Sequence, residues 1–486
     1  MILRRYGACE GAQLFDELVV DNFAGGGGAS IGIEQALGRS VDVAINHDRE
    51  AVAMHRANHP GARHLCQDVF RAKPLEVTGG RPVGLAWFSP DCTYFSKARG
   101  GRPIRDTRRR DLAWVVIRWA KTVRPRVILL ENVEEFRTWG PLGRDRRPCP
   151  RRRGRTFERW VSELRSAGYD VEWRELRGCD YGAPTTRKRL FLIARCDGQP
   201  ISWPEATHGP DQALPFRSAA ECIDWSIACR SVFERKKPLA DKTLHRIATG
   251  LRRIVLEAPQ PYLVRLQGTS EAHLRAASSA TDAPLGAVCA GGGHHALVAP
   301  FTVPRHGERP TQAPRCRAID RPAPTVTGTA NGASLVAAWL VKHYGGVYGH
   351  GLERPAGSVT TRDSHGLAST TLEGPTDRGR LVADLIRTYA PGPLRTDEAG
   401  RVLLMVDGAN HALVDVGMRM LDPRELFRCQ GFPEDYIDDW GIDDDGSRVA
   451  FTKATRTRLV GNSVCPPVVE AIVRANALEL AAEAVA

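Results

Sequence analysis

Long apolar runs are missing from this 486-residue chain. No stretch approaches the roughly 18 residues that a membrane span needs, so membrane insertion is not expected. The opening MILRRYGACEGAQLFDELVV has no apolar core ahead of a small-residue cleavage site. A secretory leader is therefore unexpected, and a cytoplasmic location is the expectation. Paired cysteine spacing is missing too: the 12 Cys are scattered singly with no CxxC. That speaks against a disulfide framework and against structural zinc, and no metal is expected. A P-loop is excluded, because the Gly-rich turn near the start lacks the spacing and the Lys-Ser/Thr of that motif. With no nuclease motif evident, DNA cleavage by the same chain is not expected. Bulk disorder is excluded by 42% hydrophobic and 26% charged residues. The 68 Lys and Arg exceed the 56 Asp and Glu, a net charge of +12. Such an excess suits a polyanionic partner, although Arg-rich genome composition alone also produces it.

What is present is β/α alternation. Between 15 and 200, short apolar runs alternate with helical periodicity, the pattern of a mostly parallel α/β sheet. Strands are expected at Leu18–Val20, Val41–Ile45, Val83–Phe88 and Val127–Leu130, and a strand pair at Val171–Leu176 and Leu190–Ala194. Helices are expected up to Leu37, at Arg49–Asn58, at Leu112–Thr122 and at Thr156–Ala167. After residue 200 Pro and Gly become frequent, and a degenerate repeat appears. Asp282-Ala283-Pro284 to Leu297-Val298 matches Asp320-Arg321-Pro322 to Leu335-Val336, and a weaker copy runs from Glu353 to Leu367. Related β-hairpins are the expected structure of these copies.

The first strand runs into Asp21-Asn22-Phe23-Ala24-Gly25-Gly26-Gly27-Gly28 and then a helix. Consecutive glycines let the chain pass beneath a nucleotide-like ligand without Cβ clashes, and the helix N-terminus offers backbone N–H groups. Asn46-His47-Asp48 ends the second strand, where a ribose-binding group belongs in such a sheet, and Asp68 follows the third apolar segment. Together these favour an adenosyl cofactor. Ser89-Pro90-Asp91-Cys92 follows a buried strand, Glu131-Asn132-Val133 follows the next, and Arg187-Lys188-Arg189 opens another. A thiol nucleophile beside a carboxylic acid suits attack on an electron-poor ring, which protonation makes a better acceptor. Taken singly, each of these is more often an inert core thiol, a solvated loop or a basic edge.

Their order is the informative feature. DxFxGxGG, SPxC, ENV, YGxPxxRxR, the segment from Arg419-Met420-Leu421-Asp422-Pro423-Arg424-Glu425 to Gln430-Gly431-Phe432-Pro433, and Gly461-Asn462-Ser463-Val464 together resemble the motif series of the DNA (cytosine-5)-methyltransferases. The resemblance implies an α/β, Rossmann-like S-adenosylmethionine-dependent domain interrupted by a large, β-rich target-recognition region. On that pattern, residues 1–200 begin the catalytic domain, 201–415 form the recognition region, and 416–486 return to complete the catalytic domain. Position by position, Cys92 matches the nucleophile that attacks C6 of a flipped-out cytosine. Glu131 matches the carboxyl group holding N3 and the exocyclic amine, Arg189 the contact to O2, and Arg187 its support. Phe23, Ala24, Gly25 and Gly27 match the adenosyl-binding turn, Asn46 and His47 the ribose position, and Asp68 the adenine-contacting acid. Asn462 and Ser463 match the late segment that closes over S-adenosylmethionine.

Some positions depart from the family pattern. Asp91 replaces a Pro before the nucleophile and should raise the thiol's pKa unless Arg or Lys compensates. Thr93 and Thr185 each replace a Gln. Asn46 replaces an acid, leaving one hydrogen-bond acceptor or Asp48 as a substitute. The basic segments Phe95–Asp111 and Gly143–Arg155 are expected to face phosphates of double-stranded DNA, the second being equally compatible with a solvated run. A monomer is expected, with a cognate restriction endonuclease a possible companion. Two alternatives remain: a tRNA cytosine methyltransferase, which the long 201–415 region disfavours, and a catalytically silent DNA-binding regulator.

Overall fold

Leu18–Asn22 (β1) is buried along its whole length, and so is Val83–Phe88 (β4), which reads VGLAWF. Strands of this kind must be covered on both faces, and a parallel sheet flanked by helices does that. In the computed structural model, β1 and β4 lie side by side in a seven-stranded sheet. Its other members are Val43–Asn46 (β2), Arg63–Cys66 (β3), Val127–Asn132 (β5), Asp170–Arg177 (β6) and Lys188–Arg195 (β7). The order is β3-β2-β1-β4-β5-β7-β6, parallel except for β7, which runs antiparallel to both neighbours. The structure describes residues 17–92, 95, 108–143, 148–224, 227, 229–256, 378–406 and 409–481. It also describes the backbone of separate strands between 262 and 371.

Local chemistry sets the helix ends. Gly28–Leu37 (α1) stops at Gly38, which takes φ 67°, a left-handed conformation that costs glycine little. Arg49–Asn58 (α2) starts where the Asp48 side chain accepts from the amides of Glu50 and Ala51, and ends at His59-Pro60. Pro74–Thr78 (α3), Trp114–Thr122 (α4) and Arg155–Ser166 (α5) complete the helices of this half. The second strand starts at Val43, not at the expected Val41. Its would-be first residues are diverted because the Asp42 carboxylate accepts from the Val19 amide at 2.7 Å and pairs with Arg39.

Downstream lie Arg230–Ser231 (β8), Asp241–Gly250 (α6), Tyr262–Arg265 (β9), Ser278–Ala280 (β10), His295–Leu297 (β11), Ala299–Pro304 (β12), Arg317–Ala318 (β13), Ala333–Lys342 (β14) and His365–Thr371 (β15). They are followed by Gly379–Tyr389 (α7), Leu403–Val406 (β16), Ala409–Ala412 (β17) and Asp415–Met420 (β18). A six-stranded sheet of order β13-β12-β14-β15-β18-β8 and a three-stranded sheet of order β10-β9-β11 make this region β-rich. Each repeat copy ends on a strand: β11 holds Leu297, β14 holds Leu335-Val336, and β15 holds Gly366-Leu367. The opening residues of each copy lie outside the described residues, as do most of the basic segment after Cys92 and residues 144–147.

The chain then returns through Pro423–Cys429 (α8), Trp440–Ile442 (β19), Arg448–Ala450 (β20), Lys453–Asn462 (α9) and Pro466–Asn476 (α10). The apolar side of α10 (Val468, Val469, Ile472, Val473) shares one buried cluster with Ile33 and Leu37 of α1 and with Val19 and Leu85 of the sheet. Gly32 makes this close approach possible. A Cβ there would lie 2.5 Å from the Pro466 carbonyl oxygen and 2.6 Å from the Val469 Cβ. Backbone cannot yield as a side-chain tip can, so Gly32→Ala is expected to cost about 1–3 kcal/mol, read as a lower urea midpoint at unchanged slope. Among the described residues, no helix is long and apolar enough to cross a membrane.

Candidate active site

Strand order reverses between β1 and β4, and open α/β sheets bind ligands outside the carboxyl ends of strands at such a point. Asn22 faces Phe88 across the two strands, and the Ser89 amide donates to the Asn22 carbonyl at 3.3 Å. The glycine turn and the Ser89–Cys92 segment therefore leave adjacent strands at one edge. Glu131 sits at the carboxyl end of β5, the next strand over, and the Asn132 side chain donates to the Pro90 carbonyl at 3.0 Å. Because β7 is antiparallel, its first residues come to that same edge and bring Arg187 and Arg189 with them. The sheet thus collects Cys92, Glu131, Arg187 and Arg189 from three separate places in the sequence.

Their electrostatics interlock. Arg189 Nε pairs with Glu131 Oε1 at 3.1 Å, and both side chains are about nine-tenths buried. Arg187, also buried, donates to the Gly461 carbonyl at 3.3 Å, while its backbone amide donates to Thr185 Oγ1 at 3.2 Å. Thr185 thus holds the turn from its backbone side. Burial pushes the Glu131 carboxyl up from the usual carboxylate range, against the opposing pull of Arg189 and Arg187. Burial also pushes the Cys92 thiol up to about 11. Arg189 and Arg187 act the other way, and the Glu131 and Asp91 carboxylates reinforce the rise. Arg187 is brought down to about 10 by burial and by Arg189 beside it.

Asp91 has a compensating cation: Arg109 Nη1 lies 3.0 Å from Asp91 Oδ2. Between pH 7 and 10, alkylation of Cys92 by iodoacetamide is expected to accelerate about tenfold per pH unit, since the thiolate is the reacting form. Asp91→Asn removes a negative neighbour that reinforces the raised thiol, so the midpoint of that titration should fall. A midpoint unmoved in the variant would remove Asp91 from the account of the thiol. Thr93 lies outside the described residues.

The turn before α1 holds Phe23 at φ 63°, Gly25 at φ 55° and Gly27 at φ 100°. A bulky aromatic in the left-handed region costs on the order of 1–3 kcal/mol and persists only where its surroundings enforce it. The Ala24 amide donates to the Ile45 carbonyl at 3.0 Å, and no side chain caps the start of α1. Both polar side-chain atoms of Asn22, next to this turn, are buried without a partner among the described residues. A cradle of backbone amides with an uncapped helix start and orphaned polar atoms beside it fits an adenosyl cofactor bearing a carboxylate.

The expected ribose contacts need one correction. The Asp48 carboxylate cannot stand in for a ribose-binding acid, because it caps α2 and pairs with Arg458. Asn46 Oδ1 accepts from the Asp48 amide at 2.9 Å, so the Asn46 Nδ2 is the group left for a ligand. His47 and Asp68 are exposed at the ends of β2 and β3, and Asp68 Oδ1 accepts from the Phe70 amide at 2.9 Å. Asn462 is exposed at the end of α9, and Ser463 is buried against the turn. A Cβ on Gly28 would sit 2.7 Å from the Val464 carbonyl oxygen.

Some contributors escaped the motif reading. The Tyr436 hydroxyl, buried three residues after Pro433, donates to the Gly26 carbonyl and ties the return segment to the turn. Gln430, in the quoted QGFP segment but given no role, is buried against Cys465 and donates to the Val460 carbonyl at 2.9 Å. His59 lies beneath Gly27, where a Cβ would meet its ring at 2.8 Å from Cδ2. Among the described residues, no group of three or more His, Cys, Asp or Glu is placed to hold a metal ion.

Comparison with known proteins bears on this geometry. A family model for C-5 cytosine-specific DNA methylases matches residues 18–245 and 376–477. The type II methyltransferase M.SacI of Streptomyces achromogenes is 28% identical over 235 residues, 42% of this chain and 57% of that protein. M1.HphI of Haemophilus parahaemolyticus is 28% identical over 193 residues, 39% of this chain and 48% of that protein. The chain thus spans about half the length of these curated relatives. A solved structure of Spodoptera frugiperda DNMT2 covers 94% of this chain and 99% of its own, at 13% identity and a TM-score of 0.48. The family model accounts for more than half of the sequence and contains every residue gathered at the carboxyl edge of the sheet, and the chain belongs to the C-5 cytosine-specific DNA methylase family.

Proposed function

We propose that this chain transfers a methyl group from S-adenosylmethionine to C5 of cytosine within a specific sequence of double-stranded DNA. The observation that carries the reading is the convergence of Cys92, Glu131, Arg187 and Arg189 beside the glycine turn. S-adenosylmethionine supplies an electrophilic methyl group. Phe23, Ala24, Gly25 and Gly27 would hold it, with Asn46, His47 and Asp68 at the ribose and adenine and Asn462-Ser463 closing from the return segment.

Cytosine must leave the duplex to reach a buried pocket, at a few kcal/mol of unstacking offset by hydrogen bonds to its edge. Arg189 donates to O2, Arg187 keeps that guanidinium in place, and Glu131 holds N3 and the exocyclic amine. A proton from Glu131 at N3 draws electrons from the ring, and the Cys92 thiolate adds at C6. The ring then carries nucleophilic character at C5, where it would take the methyl group. The C5 proton passes to water, its bonding pair re-forms C5=C6 as the thiolate leaves, and the N3 proton returns to Glu131. Residues 201–415 are the proposed recognition region, 1–200 and 416–486 the catalytic domain, in a cytoplasmic monomer, and a cognate endonuclease is a possible companion. The basic residues Arg151, Arg152, Arg153 and Arg155 are exposed before and at the start of α5 and would contact phosphates.

Expression in a methylation-free bacterium followed by base-resolution sequencing tests the whole reading. Methylated C5 at one recurrent sequence supports it. Methylation of tRNA alone assigns the chain to RNA, and specific duplex binding without any product makes it a silent regulator.

A further inference from the structure

A buried polar chain runs beneath the glycine turn, unused by the chemistry above. Asp21, the penultimate residue of β1, is wholly buried and its Oδ2 lies 2.7 Å from Ser30 Oγ on α1. Ser30 Oγ lies 2.9 Å from His55 Nε2 on α2, and His55 Nδ1 lies 2.8 Å from His64 Nε2 on β3. His55 is buried, whereas His64 is half-buried and reaches the surface. The other charged and titratable groups facing the chain are Glu34 on α1, Arg56 on α2 and His59 after it. His59 Nδ1 is committed to Glu34 at 2.9 Å.

Each hydroxyl or neutral imidazole in such a chain holds one proton, so one end dictates the direction of every hydrogen bond. With Asp21 ionised, Ser30 donates to it, His55 Nε2–H donates to Ser30, and His64 Nε2–H donates to His55 Nδ1. With Asp21 protonated, the carboxylic acid donates to Ser30, Ser30 donates to His55 Nε2, and His55 Nδ1–H donates to His64 Nε2. His64 then carries its proton on Nδ1. The two states differ by one proton, taken up at the half-buried His64, whose ring also meets the Ala62 backbone, and relayed as each group passes on the proton it held. Both imidazoles are neutral in both states. Burial keeps them so, lowering His55 well below the usual range and bringing His64 to about 4. Desolvation of Asp21 outweighs its hydrogen bond from Ser30 and raises its carboxyl to about 7, which places the exchange near neutrality.

We propose that Asp21, Ser30, His55 and His64 form a proton relay that couples binding of the cationic cofactor at the glycine turn to release of a proton at the protein surface. The relay residues are positioning residues: Asp21 stands two places before the strained Phe23, and Ser30 lies in the first turn of α1. S-adenosylmethionine carries a sulfonium and an ammonium against one carboxylate, a net positive charge on that turn that favours the ionised Asp21, so its binding drives the proton outward. The cofactor half of this inference rests on the function proposed above; the relay itself does not.

Two measurements separate these halves. In the ligand-free protein, imidazole 15N spectra between pH 5.5 and 8.5 should show His55 and His64 changing tautomer together with a midpoint near 7. Ser30→Ala should uncouple them. Tautomers fixed across that range, or a switch that survives Ser30→Ala, would overturn the relay whatever the protein binds. Calorimetric titration with S-adenosylmethionine at pH 7, in buffers of different ionisation enthalpy, should show release of about half a proton per ligand. Affinity should improve up to ~10-fold from pH 6 to 7.5. In Asp21→Asn only the ligand's own amine titration should remain, and the difference from wild type isolates the contribution of Asp21. Binding with no buffer-dependent difference between wild type and Asp21→Asn overturns the coupling and leaves the function standing. No binding of S-adenosylmethionine, together with no methyl transfer, overturns the function and with it the coupling, while the spectra still decide the relay.

Discussion

Cys92→Ala is expected to abolish methyl transfer to duplex DNA, by on the order of 10⁴-fold or more in single-turnover rate. The size of the loss follows from what remains. Without a nucleophile at C6 the ring has no electron pair to present at C5, and correct placement of cytosine beside a methyl donor does not supply one. Binding should survive, because the thiol is one half-buried group among the cations proposed to hold DNA and base. Duplex affinity within about threefold of wild type, with no tritiated methyl reaching the DNA, is the expected pair of results. Transfer retained in Cys92→Ala would remove this thiol from the chemistry. The wild-type pH profile carries the same signature: the thiol lies near 11, so only about one in 10³–10⁴ is ionised at neutral pH in the free protein. The rate should therefore climb with pH until another group fails.

That other group is Glu131, and Glu131→Gln is expected to lower the rate about 10²–10⁴-fold while leaving cofactor binding intact. The amide still reaches N3 and the exocyclic amine as a hydrogen-bonding partner, but it has no proton to deliver. Sign matters here. Burial raises the Glu131 carboxyl above its unfolded value, so the protonated, active form persists to higher pH and is lost as pH rises through the folded value. Its stability contribution follows the same course: present below the unfolded value, it fades as an ionised carboxylate is forced into the site. Because the thiol titrates near 11, above its acid partner, the rate climbs with pH until Glu131 ionises and then levels off, the gain in thiolate cancelling the loss of acid. Glu131→Gln should remove that levelling and let the climb continue. Arg189→Met removes the counter-ion 3.1 Å away, which should push the Glu131 carboxyl higher and move the levelling of the rate to more alkaline pH. A levelling that persists unchanged in Glu131→Gln would assign it to some other group.

Much of the site is legible in the sequence because its residues lie just past buried strands. Val83–Phe88 and Val127–Leu130 announce themselves by continuous apolarity, and the motifs after them inherit their position. The turn is legible for a different reason: consecutive glycines have few uses other than close approach. Spacing does not reveal partners distant along the chain. Arg109, which answers the charge of Asp91, is one arginine in a run, and nothing local distinguishes it. Nor does spacing say that Asp48 spends its carboxylate on a helix cap and Arg458, although an acid just ahead of Arg49-Glu50-Ala51 is a capping signal. Tyr436 and Gln430 act on the turn and on the return segment through tertiary packing alone. The shortened start of β2 is a side-chain effect that β propensity does not contain, since Asp42 captures the Val19 amide.

The packing of α10 on α1 and the bond from Tyr436 to Gly26 also govern how the molecule is made. On the ribosome, the glycine turn emerges some four hundred residues ahead of the wall it needs, about 20–80 s at ordinary elongation rates. During that interval the α1 face that will meet α10 is bare apolar surface, and the contacts that cover it are of very long sequence range, the slowest kind to form. A nascent or prematurely ended chain therefore holds the Cys92 strand and the glycine turn with nothing to seal them. On the proposed function, methyl transfer would start only with molecules that have closed this wall, and shortened products would stay chemically silent while being the species most prone to aggregate.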